Sequence, residues 1–198
     1  MGYIIQTDEV ALANQEKYRR DAIRAGMERA LGLRIATEGA DPKKPYAGRY
    51  DNLKARSFDY VNDFAVPTVP ALSAGLAGWL TVALAVVGTP YSIFAGNTGV
   101  AFNPVVPQTQ VWVFYKYCIP YAVTFPVSYL IFAAGNTGQF RKDEFDLEPA
   151  YAKLSTDGFF SEPVIYDKAE NCVVTVRARI VSPAFAFVLQ GWVIEPKQ

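Results

Sequence analysis

Cys172-Val-Val-Thr-Val-Arg-Ala-Arg-Ile-Val181 is the stretch whose reading decides the fold. Val174, Val176, Ala178 and Ile180 share one side of a two-residue repeat, and Thr175, Arg177 and Arg179 share the other. That alternation marks a half-buried β-strand. Pro183 separates it from residues 184–194, which are expected to form its neighbour in an antiparallel sheet. Upstream, Val111-Trp-Val-Phe-Tyr-Lys-Tyr-Cys118 is rich in the aromatic and β-branched residues that suit a pleated surface.

Apolar runs between these points end at Gly88-Thr-Pro90, Gly96-Asn-Thr-Gly99, Asn103-Pro104, Pro107 and Gly135-Asn-Thr-Gly138. Strands are expected over 79–87, 91–95, 110–118, 121–125, 127–134, 163–166, 172–181 and 184–194. Several of these runs are apolar on both faces, as strands covered from two sides must be. The expected class is mainly β: an antiparallel β-sandwich or jelly-roll-like domain over residues 71–198. Ile93-Phe-Ala-Gly-Asn-Thr-Gly99 recurs, with one added alanine, as Ile131-Phe-Ala-Ala-Gly-Asn-Thr-Gly138. Neither copy is followed by the Lys-Ser/Thr of a phosphate-binding loop, so both read as turns after strands.

Charge is distributed unevenly over the 198 residues. Residues 1–63 carry 11 basic and 10 acidic side chains, residues 64–140 carry only Lys116, and residues 141–198 carry 7 basic and 9 acidic ones. A stretch of 77 residues with one charge is no ordinary solvated surface, so it is buried in the fold, in an assembly or in lipid. The formal net charge is 0, which removes the general counterion-release drive for nucleic acid. The chain has no histidine, the commonest proton shuttle and metal ligand, so catalytic triads and zinc sites are not expected, nor is any cofactor. Cys118 and Cys172 are expected as buried thiols, and the opening residues lack the pattern of a signal peptide, which points to an intracellular or virion location.

The N-terminal segment, residues 1–36, reads as a basic amphipathic helix from Asp8 to Leu31, with Gly32 as its stop. Ile23, Met27 and Leu31 form a short apolar seam beside Arg20, Arg24 and Arg29, an arrangement suited to docking on a partner surface. Residues 37–70 lose periodicity, and Pro42, Pro45, Pro67 and Pro70 exclude a continuous helix. Tyr46, Tyr50, Phe58 and Tyr60 punctuate this segment, so it reads as an extended arm whose rings anchor on the chain's own core or on a neighbouring subunit. If they anchor on neighbours, a chain lacking residues 1–62 folds on its own.

Residues 71–87 are apolar enough to raise a membrane span, but 17 helical residues reach roughly 25 Å, short of the roughly 30 Å hydrocarbon layer. For catalysis the richest cluster is Asp143, Glu144, Asp146 and Glu148, which reads as a solvated loop rather than a pair of converging carboxylates. Tyr91, Tyr121 and Tyr151 would be the loop-end rings of a carbohydrate or ligand-binding sandwich.

A charged helix, an aromatic-bearing arm and a charge-poor β domain together resemble, in plan, the subunits of virus and bacteriophage shells, whose arms lace over neighbours. The resemblance implies a non-enzymatic virion subunit (capsid, minor capsid or cement protein) whose partners are itself, as a homo-oligomer with a trimer first, and neighbouring shell subunits. No specific nucleic acid is expected. Membrane contact through residues 71–87 and a β-sandwich ligand module are the competing expectations.

Overall fold

One helix and nine strands make up the described residues of the computed structural model, which are 8–38, 52–58, 80–94, 104–119, 126–135, 139–148 and 157–197. The order is α1 (Asp8–Glu38), β1 (Leu53–Ser57), β2 (Leu80–Leu84), β3 (Pro90–Ser92), β4 (Val111–Cys118), β5 (Val127–Ala134), β6 (Phe140–Asp146), β7 (Asp157–Tyr166), β8 (Cys172–Ala178) and β9 (Ser182–Pro196). Strands β1, β9, β4 and β7 lie side by side in one antiparallel sheet, with β2 paired to the first part of β9. The second sheet runs β3, β8, β5, β6. The two sheets face each other across one core, which makes the β domain a sandwich.

The alternation read over 172–181 holds as far as Ala178, where β8 ends short of Arg179 and Ile180. Val174, Val176 and Ala178 are buried in the inter-sheet core with Leu130, Phe132 and Ala134 of β5, while Thr175 and Arg177 face outward. Trp112, Phe114 and Tyr117 of β4 and Phe185, Phe187 and Leu189 of β9 close the core from the other sheet. Tyr166 crosses it: its hydroxyl shares one proton between the carbonyl oxygens of Ala133 and Val173, each 3.0 Å away on the opposite sheet. Burial raises the pKa of this phenol and of the neighbouring Cys172 thiol, so both are neutral, and Cys118 and Cys172 are free thiols.

The outer face of the first sheet carries α1, which makes a third layer. Ala22 and Ala30 are buried there with Val111, Val113, Tyr115, Phe159, Trp192 and Ile194. Gly26 lies between the two alanines because a methyl group at that position would sit 2.5 Å from Val113 Cγ2 and 2.8 Å from Ile194 Cγ1. The same sheet accommodates Lys116 by a β-bulge. Tyr115 is skipped in the register of β4 with both β7 and β9, so the side-chain parity changes there. Lys116 is thereby turned to the helix side, with its ammonium 5.0 Å from the Phe159 ring, and Tyr117 returns to the core.

Several expectations are corrected. The helix does not stop at Gly32 but continues to Glu38. A helical glycine costs about 1 kcal/mol, and Leu33 just beyond it packs against the cluster between α1 and the sheet. Strands β8 and β9 are not neighbours: both edges of β8 are taken by β3 and β5, so the chain after Ala178 passes to the other sheet. Residues 140–146 are strand β6 rather than a loop, drawn in by Phe145, whose ring stacks on Phe160 at 4.4 Å. Strand β7 begins at Asp157, well before the expected 163. The expected strand over 121–125 and the turns at 97–99 and 136–138 fall outside the described residues.

Candidate docking groove on the N-terminal helix

Helix α1 is held to its own sheet at several points. Tyr18 stacks on Phe159 with centroids 5.0 Å apart, and the Arg19 guanidinium lies 4.8 Å over the Trp192 ring. Arg29 grips both carboxylate oxygens of Asp167 in the β7–β8 turn, which raises the arginine pKa further through that hydrogen bond and charge. Asp167 is itself placed by its backbone N–H, which donates to Glu170 Oε2 at 2.7 Å, while Glu170 pairs with Lys142 of β6 at 2.8 Å. The helix is therefore a fixed layer of the fold.

Anchoring one side of the helix leaves its flank available. Arg20, Ile23, Arg24, Met27 and Glu28 line an open groove of about 440 Å3 there. Arg20, Arg24 and Glu28 are spaced by four, as are Ile23 and Met27, so successive turns stack them in two adjoining rows. Ile23 and Met27 form a half-buried apolar floor that also touches the cluster beneath α1, and Leu31 continues the row half-buried one turn on. Arg20 and Arg24 stand exposed at the rim, near Glu16 at 3.9 Å and Glu28 at 2.9 Å. Such pairs are worth little in stability because water and salt screen them, so the guanidinium groups can exchange partners at small cost. The arrangement suits an extended or helical segment with apolar side chains for the floor and carboxylates for the rim.

Four of the residues nominated from sequence, Arg20, Ile23, Arg24 and Met27, thus converge on one groove. Phe58 goes elsewhere: its backbone N–H donates to Gly191 O at 3.0 Å and its ring meets Trp112 at 4.8 Å and Phe114 at 5.1 Å. That part of the arm anchors on the chain's own core, and β1 just before it completes the sheet. Tyr46, Tyr50 and Tyr60 lie outside the described residues, as do Tyr121 and Tyr151. The Tyr91 hydroxyl accepts hydrogen bonds from the backbone of Ala85 and Val86, at 3.1 and 2.8 Å, so it braces a turn.

The acidic cluster does not converge. Asp143 and Glu144 are consecutive on edge strand β6 and point to opposite sides. Asp143 accepts the Glu144 N–H at 2.8 Å, and Asp146 accepts that of Glu148 at 2.9 Å. Charges along an exposed edge hinder pairing with another sheet, which gives this run a protective role. Residues 80–84 of the apolar stretch are strand β2, and among the described residues no helix is long and apolar enough to cross a membrane. No group of three or more histidine, cysteine, aspartate or glutamate side chains is placed to hold a metal ion among the described residues. Sequence reasoning missed the Asp167–Arg29 and Glu170–Lys142 clasps because their partners are far apart in the chain and no local pattern announces them. Comparison with family models, with curated proteins and with solved structures finds no match to this chain.

Proposed function

We propose that this chain is a non-enzymatic structural subunit that works by self-assembly, with a virion shell (capsid, minor capsid or cement layer) as the setting its plan suits best. The observation that carries the reading is the groove of Arg20, Ile23, Arg24 and Met27 on a helix fixed to a rigid sandwich. A clamped helix cannot reach out as a clip, so its role is that of a receptor. A segment of a neighbouring copy seats on Ile23 and Met27, and Arg20 and Arg24 orient it at the rim. A closed homo-oligomer, a trimer first, follows from one such contact repeated by symmetry.

Native mass measurement and electron microscopy of the purified chain test this. Arg20→Glu with Arg24→Glu is expected to slow assembly and make it salt-sensitive. Ile23→Asp with Met27→Asp is expected to abolish it, with circular dichroism verifying that each variant is folded. A wild-type chain that remains monomeric at micromolar concentration overturns the reading. So do charge reversals that abolish DNA or RNA binding and leave assembly untouched.

A further inference from the structure

The groove on α1 has two kinds of wall, and an occupant must match both. Ile23 and Met27 supply an apolar floor, and the rim arginines, Arg20 and Arg24, are 76% and 79% exposed. Glu28 also lines the groove, but its carboxylate accepts from Arg24 Nε at 2.9 Å, so the balance of the lining is basic. A fitting segment therefore carries apolar side chains next to surplus negative charge. The end of β9 does not supply one: Glu195 there is held by Lys54 and Arg56, and Lys197 follows it.

The sequence that leads into α1 has this composition. Tyr3-Ile-Ile-Gln-Thr-Asp-Glu9 opens with three large apolar residues and ends in two acidic ones. Residues 1–16 as a whole carry three acidic side chains and no basic one, whereas residues 17–34 carry six basic and two acidic ones. The lead and the body of the helix are thus opposite in charge. They cannot meet within one chain. Helix α1 starts at Asp8, so Ile23 lies about 22 Å along its axis at about 1.5 Å per residue. Tyr3 is five residues before Asp8, and five residues span at most about 18 Å when fully extended. Doubling back along its own helix, the apolar triplet stops short of Ile23 and further short of Met27.

We propose that the groove binds Tyr3–Glu9 of a neighbouring copy, with Tyr3, Ile4 and Ile5 on Ile23 and Met27, and Asp8 and Glu9 toward Arg20 and Arg24. The inference rests on the self-assembly reading and names the segment which that reading leaves open. Each copy offers one segment and one groove, so the contact is heterologous: it passes from copy to copy and closes where the last segment meets the first groove. Helix α1 stays clamped to its own sheet throughout, receiving one segment in its groove and presenting another at its start. The opposite charges of lead and body steer the encounter, and salt weakens that steering.

Full-length variants separate the segment from the groove, read by sedimentation velocity and native mass with circular dichroism as the check on folding. Ile4→Asp with Ile5→Asp disables the segment, and Ile23→Asp with Met27→Asp disables the groove. Each variant alone is expected to stay monomeric. Mixed, they are expected to pair, one chain of each, through the one segment and the one groove left intact. The charges are tested by exchange: Arg20→Glu with Arg24→Glu slows assembly, and adding Asp8→Lys with Glu9→Lys to the same chain is expected to restore the wild-type rate. No recovery overturns the pairing of segment and rim. A segment variant that assembles like wild type overturns the inference and leaves the groove-based reading intact. Folded variants that are each monomeric and do not pair on mixing also overturn it. A wild-type chain that stays monomeric overturns both.

Discussion

Gly26 and Gly32 lie six residues apart on α1, and a methyl group added to each has opposite consequences. At Gly26 it would enter the van der Waals envelope of Val113 and Ile194, both in the buried sheet face, whereas at Gly32 it meets nothing within 4 Å. Alanine gains about 1 kcal/mol over glycine in helix propensity at either site. Overpacking typically costs about 1–3 kcal/mol, enough to reverse that gain at the first. Gly26→Ala is expected to lower stability by about 1–2 kcal/mol and Gly32→Ala to raise it by about 0.5–1 kcal/mol. Urea unfolding of the two variants beside wild type checks both signs, and equal shifts would mean that the helix does not dock at Gly26.

At the scale of the element, β1 shows how an edge strand is held by charge as well as by its ladder. Glu195 of β9 is opposite Lys54 and receives Lys54 at 3.2 Å, Arg56 at 3.2 Å and the Gln110 side-chain amide at 2.9 Å. Burial works against its charge, but the hydrogen bonds and charges of Lys54 and Arg56 outweigh it and lower the pKa below the ordinary 4.5. A carboxylate with a depressed folded-state pKa adds stability above its unfolded value. That contribution is lost as pH falls from there through the folded value. Wild type should therefore lose stability on acidification below about pH 5, and Glu195→Gln should be about 1 kcal/mol less stable at neutral pH with a shallower acid limb. Denaturant midpoints measured across pH decide it; superimposable acid limbs would show that β1 is held by its backbone and Phe58 alone.

For the whole molecule, the layer order of helix, sheet, sheet makes the first sheet a shared wall. Val111, Val113, Tyr115, Phe159, Trp192 and Ile194 face α1, and the other side of the same strands faces the inter-sheet core. Helix α1 packs on that wall and β1 extends it beside β9, so both are built onto the sheet that closes the sandwich core. Deleting residues 1–62 removes both α1 and β1 and bares that wall, an apolar surface well beyond what a soluble monomer usually shows. The truncated chain is expected to aggregate or bind a hydrophobic dye, as gel filtration and dye fluorescence would show. A monomeric remnant with a sharp unfolding transition would establish that the sandwich is independent of its helix.

How far the amino-acid sequence alone decides this protein depends on the range of the interaction. The faces of β8, the aromatic run of β4 and the amphipathic flank Arg20–Ile23–Arg24–Met27 were legible because side-chain periodicity follows from local backbone geometry and needs no partner. The helix end was misread because the penalty of a helical glycine at Gly32 is only about 1 kcal/mol, and Leu33 just beyond it packs against the cluster beneath α1. Strand β6 was misread for a related reason: its charges describe a solvated edge, and only Phe145 marks the side drawn into the core. The sheet to which β9 belongs, the parity change at Tyr115, and the clasps of Arg29 on Asp167 and Lys142 on Glu170 were decided by tertiary structure alone. These depend on which strand edges remain free and on which distant charges meet once the layers close, and no local pattern encodes either.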